Sequence, residues 1–345
     1  MSMRRCVDKL AVSLLSILLA VIVGSIVIVV CGFSPLDAYK ALVEGAFGSA
    51  DACMSTFEKS VPLIFCGLAA MVGFKSGMFN IGIEGQLIMG AITYALVGVQ
   101  LGFLPFPIHI MVCSVLAMAA GALWASIAAF LKVFRNANEV VSTVMLNYIA
   151  IYFTEYLVSG PFKAEGNIAQ SEALDPSKVV PFITSNVKLT WTCVFACIFV
   201  VVVAFFYRYT VTGYNMMAAG VNPKAAEAGG IKMNQTRIMS MAISGSLAGL
   251  AGAMLVAATY GRFVLNMSAG YGFDGMAISV LGQNAAVGVF LSSILFGGLR
   301  TGSLYMTMFE KIPSEIVSIL QGLIILTISA PLLIQYLRSP AKKCQ

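Results

Sequence analysis

FKSGMFNIGIEGQLIMGA, residues Phe74–Ala91, decides how the chain is read. It lies in the apolar first third of a very hydrophobic protein, yet it carries Lys75, Ser76, Asn80, Glu84 and Gln86 among Gly77, Gly82, Gly85 and Gly90. An ionised side chain at the centre of a bilayer helix costs about 2.5–3.5 kcal/mol on insertion scales, so polar clusters at that depth usually line a cavity or a pathway. Glycine lets a chain unwind and turn, and unwound backbone at membrane depth is tolerated only against protein or water. One reading is a broken segment beside a solute route. The other is a turn at the cytoplasmic surface over Lys75–Asn80, with Glu84 satisfied by a neighbouring helix. Composition alone does not choose between them.

Hydrophobic residues make up 59% of the 345 and charged residues only 10%, where ordinary globular chains are about a quarter charged. Long apolar runs without period-two alternation give an all-α, polytopic transmembrane helical bundle rather than an outer-membrane barrel. The net charge of +6 is scattered over short loops, forms no patch for nucleic acid, and is better used to orient the chain. The eight cysteines fall mostly inside apolar runs without metal-ligand spacing and read as small apolar fillers.

Taken in order, Arg4, Arg5 and Lys9 precede an apolar run, Leu10–Gly32, that is longer than a signal core and is followed by no small-residue cleavage site. It reads as a retained first span. Phe33–Ser60, with Asp37, Glu44, Asp51 and Glu58, reads as an external segment with a short surface helix. Val61–Gly73 is then too short for a straight span, which needs about 20 residues, so it requires a half-helix or extension into the polar stretch. Ile81–Leu101, Ile108–Leu131, Glu139–Val158, Leu189–Tyr207 and Ile238–Ala258 follow as spans, the last rich in small residues that permit close packing. Gly160–Lys188 is the longest outer loop and Arg208–Arg237 the longest cytoplasmic one. Tyr271–Leu281, Val287–Leu304 and Ser314–Leu337 complete about ten passes, with broken or re-entrant segments. Most of the 21 lysines and arginines, among them Lys75, Lys132, Arg135, Arg208, Arg237, Lys342 and Lys343, then lie inside, with both termini cytoplasmic. An internal repeat is hinted at by Gly67-Leu-Ala-Ala-Met71 and Gly249-Leu-Ala-Gly-Ala-Met254, which sets a second polar stretch, Ala269–Asn284, opposite the first.

Chemistry motifs are mostly missing. Gly270-Tyr-Gly-Phe-Asp-Gly275 matches a dinucleotide fingerprint by letter, but no strand precedes it and no acid follows at the required distance. Gly73-Phe-Lys75-Ser76 lacks the Gly-Lys pair of a phosphate loop, and His109, the one histidine, supports neither a histidine metal site nor a hydrolase. Within Arg208–Arg237, Asn222-Pro223 starts a helix and Gly229-Gly230 stops it. Isolated helices need about 12–15 residues in water, so something must hold this one: the chain's own helices, or a partner subunit into which it docks.

Four blocks carry a resemblance: Phe79–Ala91, Asn138–Tyr148, Gly220–Ala226 with Gly229-Gly230-Ile231, and Gly272–Ala277 with Leu281-Gly282. In this order they resemble the signature blocks of binding-protein-dependent ABC importer permeases. The nearest branch serves simple sugars and nucleosides, in particular the nucleoside permeases paired with lipoproteins of the basic membrane protein family. The resemblance implies one transmembrane permease domain over residues 1–345 in a bacterial inner membrane, with 213–237 as the cytoplasmic coupling-helix loop. A separate ATPase, which binds ATP and Mg, drives transport; this chain needs no cofactor of its own. An extracytoplasmic binding lipoprotein delivers the solute, and a heterodimer with a related permease is favoured over a homodimer. Gly220, Asn222, Ala225, Ala226, Gly229 and Gly230 take the role of the ATPase-docking knob, although Met233-Asn-Gln235 stands where other importer classes carry a longer motif.

For the solute pathway the candidates are Asn80, Glu84, Gln86, Asn147 and Asp274, with Gln283 and Asn284 near its inner end, since amides and carboxylates suit the hydroxyls and base edges of a nucleoside. Phe79, Tyr148, Tyr271 and Phe273 are aromatic faces available for stacking, or for packing. The rival readings are the same architecture for a simple sugar or other ring solute, a proton-coupled secondary transporter using Glu84 and Asp274, and, weakest, a membrane enzyme.

Overall fold

Gly77, with φ at +71°, and Gly82, which precedes the next helix, make the quoted stretch a break between two helices. The structure, a computed structural model, describes residues 21–184, 187–313, 315–319 and 322–323. The first half of the expected first span, most of the expected last pass and the tail Arg338–Gln345 lie outside the described residues. The helices are α1 (Val21–Val30), α2 (Pro35–Phe47), α3 (Ala50–Lys75), α4 (Ile83–Gln100), α5 (Phe106–Arg135) and α6 (Glu139–Ser159), then α7 (Trp191–Tyr209), α8 (Val211–Val221), α9 (Pro223–Ala228), α10 (Met233–Met254), α11 (Tyr271–Leu281) and α12 (Ala286–Phe309).

The class is all-α, but the expectation of about ten passes is wrong. Among the described residues six helices are long and apolar enough to cross a membrane, or seven if α1 and α2, bent by 119°, form one span. Two physical reasons act here, and one expected short run proves a full span. Helix α11 has 11 residues, about 16 Å at 1.5 Å each, and hydrocarbon is about 30 Å thick. Helix α4 has only 18 residues and spends its first turn on Glu84 and Gln86, so it is not among the six. The run Val61–Gly73 gains its length from the other end, because α3 begins at Ala50 and carries Glu58 and Lys59 inside the helix rather than in an external segment.

The described residues form two compact units, one of residues up to Thr56 and from Phe296 onward, the other Phe57–Leu295. In the first, Ile28, Ala38, Ala41, Leu299 and Met306 form a buried apolar cluster. In the second, α4, α5 and α10 form the packed centre. Gly249 on α10 lies so close to Ala117 and Gly121 of α5 that no side chain fits between them, which is how the small-residue spacing of this helix is used. Helix α5 ends in Asn136, with φ at +49°, and Asn138 caps α6 by accepting the Val140 N–H at 2.9 Å. Across that turn Lys132 Nζ meets Glu139 Oε2 at 2.8 Å.

The long loop after α6 is more ordered than a linker. It contains a short antiparallel pair, β1 (Phe182–Thr184) and β2 (Val187–Thr190). Its backbone also runs along the segment after α10: Val180 N–H donates to Ala257 O, Leu174 N–H to Gly261 O and Ser171 N–H to Phe263 O, at 2.8–2.9 Å. Glu58 of α3 accepts from the Thr190 N–H at 3.1 Å and the Thr190 hydroxyl at 2.7 Å, and so closes the start of α7.

Candidate functional site

The break after α3 is held by amide side chains. Asn80 is 1% exposed, and its carboxamide pairs with that of Gln86 in both directions, Nδ2 to Oε1 and Nε2 to Oδ1, each at 2.9 Å. Asn80 Nδ2 also donates to Ser244 Oγ on α10 at 2.8 Å, and Ser244 Oγ donates to Ala69 O on α3 at 2.7 Å. Gly82 N–H donates to Asn80 Oδ1 at 3.0 Å. From α6, Asn147 Oδ1 accepts the Gly85 N–H and Nδ2 donates to Ile81 O, both at 2.8 Å, while Thr143 Oγ1 accepts the Ile81 N–H at 3.3 Å. Unwound backbone buried among helices must find partners for its N–H and C=O groups, and these side chains supply them. Asn80, Gln86 and Asn147 are thus brought together, bonded to the protein itself.

Glu84, 5% exposed, faces the other way. Its Oε1 accepts the Gly270 N–H at 3.2 Å and its Oε2 the Gly272 N–H at 2.7 Å. These groups belong to the start of α11, where N–H groups have no partner within the helix. Glu84 is itself in the first turn of α4, so its carboxylate stands at the positive ends of two helix dipoles. The alternative in which Glu84 is satisfied by a neighbouring helix describes this contact. Asp274 occupies the first turn of α11 and is half-buried. Gln283, exposed, and Asn284, half-buried, form the left-handed turn beyond α11, each with φ at 53°, and Ser279 Oγ donates to Asn284 Oδ1 at 2.8 Å. About 10 Å of α11, from Asp274 to Leu281, separates them from Asp274, so they do not join the Glu84 group.

Beside Glu84 lies a cavity of about 250 Å³ between α4, α6 and the 263–270 segment. Ile88, Ile151 and Phe263 give apolar wall, and Glu84, Thr154, Asn266 and Ser268 give polar wall. Asn266 and Ala269 take φ of 61° and 40°, so the segment bends tightly around it. None of Phe79, Tyr148, Tyr271 and Phe273 lines this cavity; Phe79 instead packs on Phe74, ring centres 5.4 Å apart.

The short helix α9 forms where its sequence directs. Asn222 Oδ1 accepts the Ala225 N–H at 3.1 Å, Pro223 opens the helix, and Gly230, with φ at +86°, lets the chain leave it. Ala226 turns inward against Ala219 and Met233, which anchors the helix to its own chain. Asn222, Ala225, Gly229 and Gly230 are exposed. Gly220 has a different setting: a Cβ there would lie 3.0 Å from Gly77 N and closer still to Lys75 O. The end of α8 therefore rests on the backbone of the break itself.

Residues 54–329 match the family described as the branched-chain amino acid transport system / permease component. The chain belongs to this family. Among relatives similar to the permease, the guanosine ABC transporter permease protein NupP of Bacillus subtilis is 35% identical over 97% of each chain. The nucleoside ABC transporter permease protein NupB of Lactococcus lactis is 31% identical over 97% of this chain and 94% of that one. The glucose ABC transporter permease protein TsgB13 of Haloferax volcanii is 31% identical over 90% and 85%. The permease is a multi-pass membrane protein and a transport subunit, not a catalytic one.

Several residues that shape the permease's site are not found by sequence reasoning. Ser244 looks like one more small residue of α10, yet it links Asn80 to α3. Phe263, 2% exposed, sits in a stretch with no helical pattern, and its contact with the outer loop carries no local signal. Glu58 reads as a loop acid because no apolar run begins until Val61.

Proposed function

We propose that the permease moves a nucleoside inward across a bacterial inner membrane, with both termini cytoplasmic, receiving it from an extracytoplasmic binding lipoprotein. A separate ATPase, holding ATP and Mg, drives the cycle by pushing on the loop 213–237, and a related permease completes a heterodimer. The observation that carries this reading is the seat of Gly220 against Lys75 and Gly77. Through it, a movement of α8 and α9 reaches the break that Asn80, Gln86 and Asn147 hold, and from there Glu84 and the cavity. Asp274 lies on the helix that Glu84 caps, and Gln283 and Asn284 mark the inner end of the route. Exposed Asn222, Ala225, Gly229 and Gly230 offer the small, uncrowded surface that a docking knob needs. The proton-coupled alternative drops out for a member of this family.

Pockets that bury drug-sized ligands measure about 300–1,000 Å³, so a cavity of about 250 Å³ suits a small solute held weakly. Nucleosides are supported by the names of two of the relatives; the glucose permease keeps a sugar as the second reading. Uptake of labelled guanosine by cells expressing the whole transporter, challenged with unlabelled adenosine, ribose and glucose, separates them. Competition by nucleosides alone supports the first reading, and competition by sugars alone replaces it with the second. Normal uptake by both Glu84→Gln and Asp274→Asn removes these residues from the pathway.

A further inference from the structure

A second cavity, of about 280 Å³, lies where the ends of α3 and α7 meet α8 and the start of α12. It is lined by Lys75 and Arg208, by Tyr207, and by apolar surface from Met71, Met217 and Val287. Among the described residues no acidic one lines it. Among the described residues neither Lys75 nor Arg208 forms an ion pair; Lys75 Nζ instead stands 4.5 Å from the centre of the Tyr207 ring. Two cations thus line one pocket: Arg208 is exposed, its guanidinium 5.5 Å from the centre of the Tyr209 ring, while Lys75 is half-buried, and a partly desolvated cation lacking a counter-charge is costly. Ala286 and Val287, the first residues of α12, also line it. Beyond the cations the walls turn apolar. Val287 and Leu291, one turn apart on the same face of α12, are both more than half exposed.

We propose that this cavity holds an anionic phospholipid, its phosphate at Lys75 and Arg208 and an acyl chain along the exposed apolar face of α12 that begins at Val287. Charge complementarity names the headgroup, and the apolar continuation names a lipid rather than a soluble anion. Basic pockets between helix ends at a membrane surface are suited to such headgroups, each cation contributing roughly fivefold in affinity. Because Lys75 is the last residue of α3, the lipid braces the helix end on which Gly220 rests.

The test uses the full chain, with its partner subunits, in phosphatidylcholine vesicles carrying a minor share of spin-labelled phosphatidylglycerol. The immobilised label should show one tight site per chain, preferring phosphatidylglycerol over phosphatidylcholine by roughly 30-fold. The K75R/R208K double variant should keep that preference and K75Q/R208Q should lose it. Equal retention of the two lipids by the wild-type chain overturns the proposal, and so does release of the bound lipid by excess inorganic phosphate, which assigns the site to a free anion. Should the neutral variant fail to insert, wild-type protein photolabelled by phosphatidylglycerol with a diazirine headgroup gives the answer. Label on the peptides containing Arg208 and Val287 supports the site, and label spread over other helices overturns it.

Discussion

The Glu84 carboxylate accepts the backbone N–H of Gly272 at 2.7 Å, so a buried acid on α4 caps α11, a helix 188 residues further along the chain. Removing an acceptor from a buried donor costs about 1–3 kcal/mol, more when the acceptor is charged. Glu84→Ala should therefore lower the melting temperature of the purified permease by several degrees, at roughly 2–4 °C per kcal/mol for a chain of this class. Glu84→Gln, which keeps an oxygen for Gly272, should recover at least half of the loss. Equal melting temperatures for wild type and Glu84→Ala would show that the contact contributes nothing.

Asn80 and Ser244 lie 164 residues apart in sequence and share a hydrogen bond at 2.8 Å. Asn80→Ala and Ser244→Ala should each destabilise, the first by more because Asn80 also serves Gln86 and Gly82. Neighbours in one network couple by about 0.5–3 kcal/mol, so the double variant should lose less than the two losses added together. Strict additivity in a thermal or denaturant titration contradicts the shared network.

Two glycines of the segment 213–237 should respond differently to alanine. Gly230 has nothing within 4 Å of an added Cβ, so Gly230→Ala meets only backbone strain, about 1–2 kcal/mol at positive φ. Gly220→Ala drives a methyl into the backbone of Lys75 and Gly77 and must displace α8. Melting temperature and membrane yield should fall much further for Gly220→Ala. The opposite order would mean that α8 does not rest on the break.

Thr154, 1% exposed, bonds only to carbonyls of its own helix, at Ala150 and Ile151, so its loss leaves no other element without a partner. Thr154→Phe places a ring at the wall of the 250 Å³ cavity. Uptake per folded protein should drop about tenfold, a barrier increase of about 1.4 kcal/mol, beyond a destabilisation of about 1–3 kcal/mol from the larger side chain. Full uptake by this variant excludes the cavity from the solute route.

How much of this was legible in the sequence follows from the range of the forces involved. The break at Gly77–Gly82, the start of α9 at Asn222-Pro223 and its end at Gly229-Gly230 are local events, written in glycine, proline and capping residues. The polar residues of the break were visible too, because charge and amide groups stand out in an apolar run. Their partners were not. That Asn80 reaches Ser244, that Glu84 caps α11 and that Gly220 faces Lys75 rather than outward are contacts between distant segments, without a periodic signature. The number of spans failed for a related reason. Hydropathy sees apolar runs such as Ile81–Leu101 and Tyr271–Leu281, but the first folds as an 18-residue helix opening on Glu84 and Gln86 and the second as a helix of only 11 residues.

The most direct test is purification of the tagged permease from its native membrane in mild detergent, with the associated proteins identified and counted. A near-stoichiometric ATPase, together with a second permease or a binding lipoprotein, is the expected result, and the ATPase should be lost when Ala225→Glu places a bulky negative charge on exposed α9. A chain that purifies alone and still catalyses uptake after reconstitution would contradict the docking role of 213–237 and, with it, the route from Gly220 to the break.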